Sequence, residues 1–412
     1  MKFNLFVSLT LVLTLVSCSS KTKKQSAEKT APISCSSTDV SLRDASSSSI
    51  PSLDLSDIPS AQNVDLQDVA DVEYVQLETS DAVLLESNLA FTLTKNHILA
   101  FNKKEKGIYI FSRKGKLLHR FNRRGGGPEE YVSCRAVTMD ETSGEVYVTD
   151  DIRRRAIRVY NLEGKFLRSI PVPLIPILYL KNIDKNHLFY CDSSSLLHFE
   201  KSIDLGDYCF ISKTNGQLSE LPIKPLKVVV PSYESKDKDG LAVIRSTLNN
   251  TYMKNGDELI IADFGCDTIY SLKNRILKPL LVKSPITVES MNPSILVSPI
   301  LKTKRYLFFK LQKKMLNDDH DLVPTENIAY DFKLNKNVQI DLFNTDFSPK
   351  KIISNPVNPY IDNGIKNSCI VVYKAWRLTK AYQGNKLRGK LKKIASKLNK
   401  DDNPILMIAQ FK

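Results

Sequence analysis

Residues 145–170 read EVYVTDDIRRRAIRVYNLEGKFLRSI, three short strands and two turns. In the first strand Val146 and Val148 alternate with Tyr147, the two-residue period that puts neighbours on opposite faces of a sheet. Asp150 and Asp151 interrupt it. Residues 156–160 are β-branched and apolar. Asn161-Leu162-Glu163-Gly164 is a hairpin turn, in which Gly164 takes a positive φ at little cost. Residues 165–170 return as a third strand. With an inner strand added on the N-terminal side, the stretch is a four-stranded antiparallel meander.

The unit recurs. Upstream, residues 97–121 read HILAFNKKEKGIYIFSRKGKLLHRF, and their turn residue Gly115 lies 49 positions before Gly164. Downstream come HLFYCDSSS and CFISKTNGQLSELPI, whose Gly216 lies 52 positions after Gly164. A fourth copy, ELIIADFGCDTIYSLKNRILKPLLV, spans 258–282, and a weaker fifth joins RYLFFK at 305–310 to NIAYDFKLNKNVQIDL at 327–342. One small sheet per ~50 residues marks a β-propeller, because such a sheet cannot bury both faces alone and must stack on its neighbours around an axis. A β-sandwich or two small β domains is the competing reading, and it predicts no fixed repeat. Two strands are left without a partner in sequence, DVEYVQLET at 71–79 and NPILMIAQF at 403–411. A propeller closed by pairing its N- and C-terminal strands in one blade accounts for both.

The chain has 412 residues, is 42% apolar and carries a formal net charge of +14. Residues 380–400 hold eight of the cations and no acid. The remainder is only mildly basic and shows no nucleic-acid-reading motif, so nucleic acid is not an expected partner. Leu387, Leu391, Ile394 and Leu398 recur at helical spacing. Residues 381–399 are therefore expected as an amphipathic helix inserted in the last blade. Its stripe would pack on the sheet, and its lysines would face solvent, anionic lipid or an acidic partner.

At the N-terminus, Lys2 precedes an apolar run over 5–16, too short to span a bilayer, which ends in Leu15-Val16-Ser17-Cys18. That ending has the pattern of a bacterial lipobox. Residues 1–17 are then a lipoprotein signal peptide, Cys18 is the lipidated residue, 18–65 is a disordered polar tether, and 66–412 is the propeller. An ordinary signal peptide with a coincidental cysteine is the alternative. The expected location is the cell envelope, lipid-anchored, at the outer membrane. Six of the seven cysteines remain after Cys18, with no framework in their spacing. Cys191 and Cys209 lie on neighbouring strands and could pair, or all are buried thiols.

The link at 121–131, FNRRGGGPEEY, places three glycines in a row, which suggests close approach of the chain to a neighbour or ligand. Arg123, Arg124, Arg153, Arg154, Arg155 and Arg158 cluster in the first two copies and read as exposed blade edges that discourage aggregation, or as a site suited to the carboxylates or sulfates of an acidic glycan. Asp150, Asp151, Asp192 and Asp263 fall in the same inter-strand break, with Asn102 in the first copy. They read as turn caps, or as an acidic ring at one channel mouth able to hold Ca²⁺. The candidate ligand-binding residues are Arg123, Arg124, Glu130, Tyr131, Asp151, Arg153 and Asp263. His97 and His187 occupy equivalent repeat positions, and no nucleophile–base or metalloprotease motif is present. No catalytic residue, metal ligand or resident cofactor is assigned.

Three motifs carry a family resemblance. They are F-x-x-x-G-x-G-P-x-E-Y at 121–131, the blade turn I-x-V-F/Y-N/D-x-x-G-K-F-L at 157–167, and Asp402-Asn403-Pro404 before the last strand. Together they resemble the six-bladed β-propeller lipoproteins of Bacteroides-type bacteria, which are NHL-like, over roughly residues 65–412. The resemblance implies an all-β fold, a six-bladed β-propeller of four-stranded antiparallel blades with a short helical insertion in the last blade. That family brings no firmly assigned activity. The expected function is a lipid-anchored, monomeric, non-catalytic binding module for a protein partner or glycan. The alternative is a propeller hydrolase or lyase with a channel metal or acid–base site acting on a glycan or lactone.

Overall fold

In the computed structural model, which describes residues 41–42, 50–81, 83–85, 88–150, 155–172, 177, 179–191, 206–236, 242–246, 250–317, 322–353 and 361–412, the alternation at 145–149 decides how the blades pack. Val146 and Val148 join an apolar cluster with Leu99, Phe101 and Ile110 of the preceding copy, whereas Tyr147 joins a second with Leu188, Cys209 and Ile211 of the following one. Six such clusters, one between each pair of neighbouring sheets, form the core. The protein is an all-β, six-bladed propeller.

Blade one is Leu89–Leu93, His97–Asn102, Ile108–Ser112 and Leu117–Phe121. Blade two is Val137–Asp140, Glu145–Asp150, Ala156–Asn161 and Phe166–Pro171, with the expected inner strand in place. Blade three runs from Leu180–Asn182 to Leu218–Glu220, blade four from Tyr252–Asn255 to Ile276–Ser284, and blade five from Ile295–Lys302 to Lys336–Asn344. A separate hairpin, Ser232–Lys236 with Ala242–Ser246, lies between blades three and four in the chain.

Blade six closes the ring. Ile405–Phe411 pairs antiparallel with Ser368–Tyr373 on one side and with Ala70–Gln76 on the other. Both orphan strands are thereby used, as expected. The blade has three laddered strands instead of four, because Ile361–Asn363, which leads into Ser368–Tyr373, pairs in parallel with Phe91–Leu93 of blade one. The ring is thus sealed both at its rim and near its axis.

The repeating glycines have a double reason. Gly115, Gly164 and Gly216 sit at φ +87°, +82° and +76° in the turn before each blade's last strand. A Cβ there would lie 2.0 Å from the Gln76 carbonyl oxygen, 2.3 Å from the Phe121 ring and 1.9 Å from the Pro171 carbonyl oxygen. Each of those contacts is the end of the preceding blade's outer strand, so the ~50-residue period follows from blade-to-blade docking as well as from turn conformation. Ladder irregularities at Ile110/Phe111, Val159/Tyr160 and Ile269/Tyr270 recur at the same place and bend the outer strand. Gly216→Ala is expected to lower the unfolding free energy by about 3 kcal/mol, combining the strained φ with overpacking. Guanidinium midpoints of the two proteins check this, and a loss below about 1 kcal/mol would mean that the contact relaxes freely.

Three expectations change. The tether was expected to run featureless to residue 65. Ser41–Leu42 and Ser52–Asp54 instead add in parallel to Ile276–Ser284, and Ala61–Asp65 adds in parallel to Lys336–Asn344. The segment is an edge strap on blades four and five, and it covers backbone groups that the outer strands would otherwise leave open. The single helix at 381–399 is two helices, α2 (Ala375–Gln383) and α3 (Gly389–Ala395), after a one-turn α1 (Leu66–Val69). Gly384 ends α2, and Leu387, Leu391 and Leu398 of the expected stripe are buried as read. Cys191 and Cys209 do not pair: Cys209 stands opposite Tyr190, so the two thiols point to opposite sheet faces. Cys134, Cys191, Cys209, Cys266 and Cys369 are buried and form no disulfide among the described residues, and Cys18 and Cys35 lie outside those residues.

Candidate functional site

The glycine link after blade one folds onto itself. Tyr131 is fully buried, and its hydroxyl donates to the Lys106 carbonyl at 2.6 Å and accepts the Arg123 N–H at 3.2 Å. The Glu130 carboxylate accepts the Gly127 N–H at 2.7 Å, and a Cβ on Gly125 would run into that carboxylate. Arg123 donates from Nε to the Gly164 carbonyl of blade two. Tyr160 and Arg158 hold the Glu129 and Pro128 carbonyls. Glu130 and Tyr131 therefore shape the link, and Arg123 and Arg124 are exposed beside it. Asp151 and Arg153 lie outside the described residues.

Asp150, Asp263 and Asn102 of the inter-strand break are turn caps, and Asp192, like Asp151, lies outside the described residues. Asp263 accepts the Tyr208 hydroxyl and the Gly265 N–H, both at 2.7 Å. Asp150 accepts the N–H groups of Val132 and Ser133, and Asn102 accepts those of Lys104 and Glu105. Lys283, nearly fully buried beneath Asp263, donates to the carbonyls of Asp263 and Cys266, and burial pushes its ammonium down to about 8. Among the described residues no group of three or more His, Cys, Asp or Glu could hold a metal. His97 bonds Glu141 at 2.7 Å and His187 bonds Asp184 at 3.0 Å, so the repeated histidine is an anchor for a turn. Burial opposes ionisation of Asp184, but bonds from His187 and the Asn186 N–H outweigh it and bring the carboxyl to about 2.

Two sites that the sequence did not single out emerge from the fold. The first is the channel lining. Asp362, 2% exposed, accepts Thr138 Oγ1 at 3.1 Å and lies 3.5 Å from Lys254 Nζ and 4.0 Å from Lys181 Nζ. Lys254 also donates to the Asn182 carbonyl, while Lys302 holds both Glu258 oxygens at 2.6 and 2.7 Å. Burial lowers the Lys181 pKa against the pull of Asp362, and burial together with Lys106 and Lys181 pushes Lys103 down to about 7.

The second is a cleft of about 690 Å³ between the 347–353 segment, Ser368–Tyr373 and α2. Lys350, Lys351, Lys374, Arg377 and Lys386 line it, and among the described residues no carboxylate does. Its walls are tied together by the Ser348 N–H to the Lys386 carbonyl at 2.9 Å and by Arg388 to Ser348 Oγ at 2.9 Å. Lys351 Nζ lies 5.1 Å from the Phe347 ring centre and 5.8 Å from that of Tyr373. Burial, then Arg377, lowers the Lys351 pKa. Lys350 is bonded to Asp65 of the strap. The arrangement is a cationic cleft with aromatic walls. Its residues come from three separate segments, and the only sequence signal was the acid-free run near 380–400.

The chain is similar to several proteins of known structure. A Bacteroides fragilis protein named as exported has a solved structure that matches 88% of this chain and 100% of its own, with 15% identity and a TM-score of 0.58. A member of the DUF4221 family from Bacteroides vulgatus matches 84% of this chain and 99% of its own, with 10% identity and a TM-score of 0.44. The structure of streptogramin B lyase matches 69% of this chain and 94% of its own, with 11% identity and a TM-score of 0.31. No curated protein matches the chain. The model of a domain of unknown function, DUF4934, matches residues 50–410, from just before the Ser52–Asp54 strand of the strap into the closing strand, and the chain belongs to that family.

Proposed function

We propose that the protein is a lipid-anchored propeller of the cell envelope that binds an acidic glycan without catalysis, with carboxylate or sulfate groups seated in the cationic cleft. The cleft carries this reading. Its volume lies within the range of ligand sites, five cations face it, and guanidinium and ammonium groups are the natural donors to such anions. The Phe347 and Tyr373 rings supply apolar faces on which a sugar ring can rest. Support for the location comes from the lipobox-like ending at Cys18 and from the exported Bacteroides relative in fold.

Calorimetric titration of the full chain with a sulfated oligosaccharide and its desulfated counterpart tests the proposal. Only the charged form should bind, and Lys351→Gln with Arg377→Gln should weaken it by about tenfold or more while the circular dichroism stays unchanged. Affinity should fall with added salt. A bound anion raises the depressed Lys351 pKa, so binding takes up a proton and weakens as pH rises through the lowered value. Equal binding of both oligosaccharides, or indifference to the double substitution, would sink the reading. For the anchor, Cys18→Ser should move the protein from the membrane fraction to the soluble one.

A further inference from the structure

The inner strands of blades three to six surround a cavity of about 30 Å³, separate from the cleft and lined by Lys181, Lys254 and Lys302 together with Tyr252 and Asn255. Charge there does not balance. Glu258 is taken up by Lys302 on both oxygens and by Ser271 Oγ at 2.6 Å. Asp362 is the one other carboxylate ion-paired to these lysines among the described residues, and it is shared between Lys181 and Lys254. Three lysines thus share two carboxylates, Lys181 buried and Lys254 and Lys302 half-buried, and an unneutralised charge away from water is costly.

Among the described residues that line the cavity, the two buried polar atoms without a hydrogen-bond partner are both able to donate. Asn255, 3% exposed, uses its oxygen to accept the Asn367 N–H at 2.7 Å, while its Nδ2 has no partner. The Tyr252 hydroxyl, on a residue 4% exposed, also has none. Both residues line the cavity, and both groups can donate.

We infer that this cavity is a binding site for one small monovalent anion of the halide class, which neutralises the excess ammonium charge and accepts from Asn255 Nδ2. The space suits a single particle of water or chloride size and excludes anything as large as a sugar. Such an anion ties together the inner strands of four blades, so it acts on the cohesion of the ring at a distance from the cleft. An anion that binds only the folded state raises the unfolding temperature in proportion to the logarithm of its concentration.

Thermal unfolding of the full chain in sodium bromide, with sodium gluconate holding ionic strength constant, reads this directly. The expected rise is about 3 °C for a roughly thirty-fold increase in bromide. A crystal soaked in bromide should show an anomalous peak within hydrogen-bonding reach of Asn255 Nδ2 and Lys254 Nζ. Asn255→Asp keeps the acceptor for Asn367 but turns the donor into a repelling carboxylate, so the bromide dependence should vanish while the chain stays folded. Lys254→Met should abolish it as well. If Lys254→Met does not fold, Asn255→Asp decides alone. A midpoint indifferent to bromide, a water in place of the anomalous peak, or an Asn255→Asp chain that still responds would each overturn the inference.

Discussion

Asn403→Ala should unfold at markedly lower denaturant, with a loss of about 4 kcal/mol. Asn403 stands just before the closing strand and is fully buried. Its oxygen accepts the Leu85 N–H at 2.6 Å, its Nδ2 donates to the carbonyls of Glu78 and Val83 at 2.6 and 2.8 Å, and its own N–H reaches Thr79 Oγ1. One side chain thereby satisfies three backbone groups of the 78–85 segment that leads from the closing blade into blade one. Alanine leaves the Leu85 N–H and the Glu78 carbonyl unpaired and the Val83 carbonyl with only the Ser80 N–H at 3.4 Å, and Leu85 and Val83 are themselves buried. Each orphaned group costs about 1–3 kcal/mol, which sets the size of the loss. Asn403→Asp should fare little better, because an ionised carboxylate offers nothing to the two carbonyls. Chemical unfolding with an unchanged slope measures the effect, and a loss under about 1 kcal/mol would show that water replaces the amide.

Lys213→Met should cost about 4 kcal/mol. Lys213, 3% exposed in a turn of blade three, donates to Asp140 of blade two at 2.5 Å and to the Asp184 carbonyl at 2.6 Å. Its ammonium lies 5.1 Å from the Tyr147 ring centre. Removing it strands the Asp140 carboxylate, which is 4% exposed, without a counter-charge. The double change Lys213→Met with Asp140→Asn removes that stranded charge and keeps the acceptor for the Thr142 N–H, so it should be more stable than Lys213→Met alone. A double-mutant cycle reads the coupling, and purely additive losses would mean that the pair does not hold these two blades together.

Much of the ring was legible because glycine marks its docking points. Gly115, Gly164 and Gly216 are required by both turn and neighbour, so they recur in register, and the two unpartnered strands announced the closing blade. The strap was not legible. SLD at 52–54 and AQNVD at 61–65 lie on outer edges, where little apolar alternation is needed. The 121–131 link showed its glycines, but nothing in the sequence reveals that Glu130 turns back onto Gly127. The cleft and the channel escaped for another reason. Lys181, Lys254 and Lys302 meet only because inner strands from different blades converge on one axis, and insertions between blades remove any fixed spacing between them.

The placement of the closing strand also bears on how the molecule is made. Ile405–Phe411 lies between its two partners in the last sheet, and one of those partners is Ala70–Gln76. The Leu85–Asn403 bond spans 318 residues. On the ribosome, Ala70–Gln76 therefore waits until Ile405–Phe411 has been made before it can pair. Pairing across such separations is slow, because the loop must close before any contact repays it. The nascent protein accordingly remains an open arc, and it acquires the cohesion of a ring only when residues 403–411 arrive.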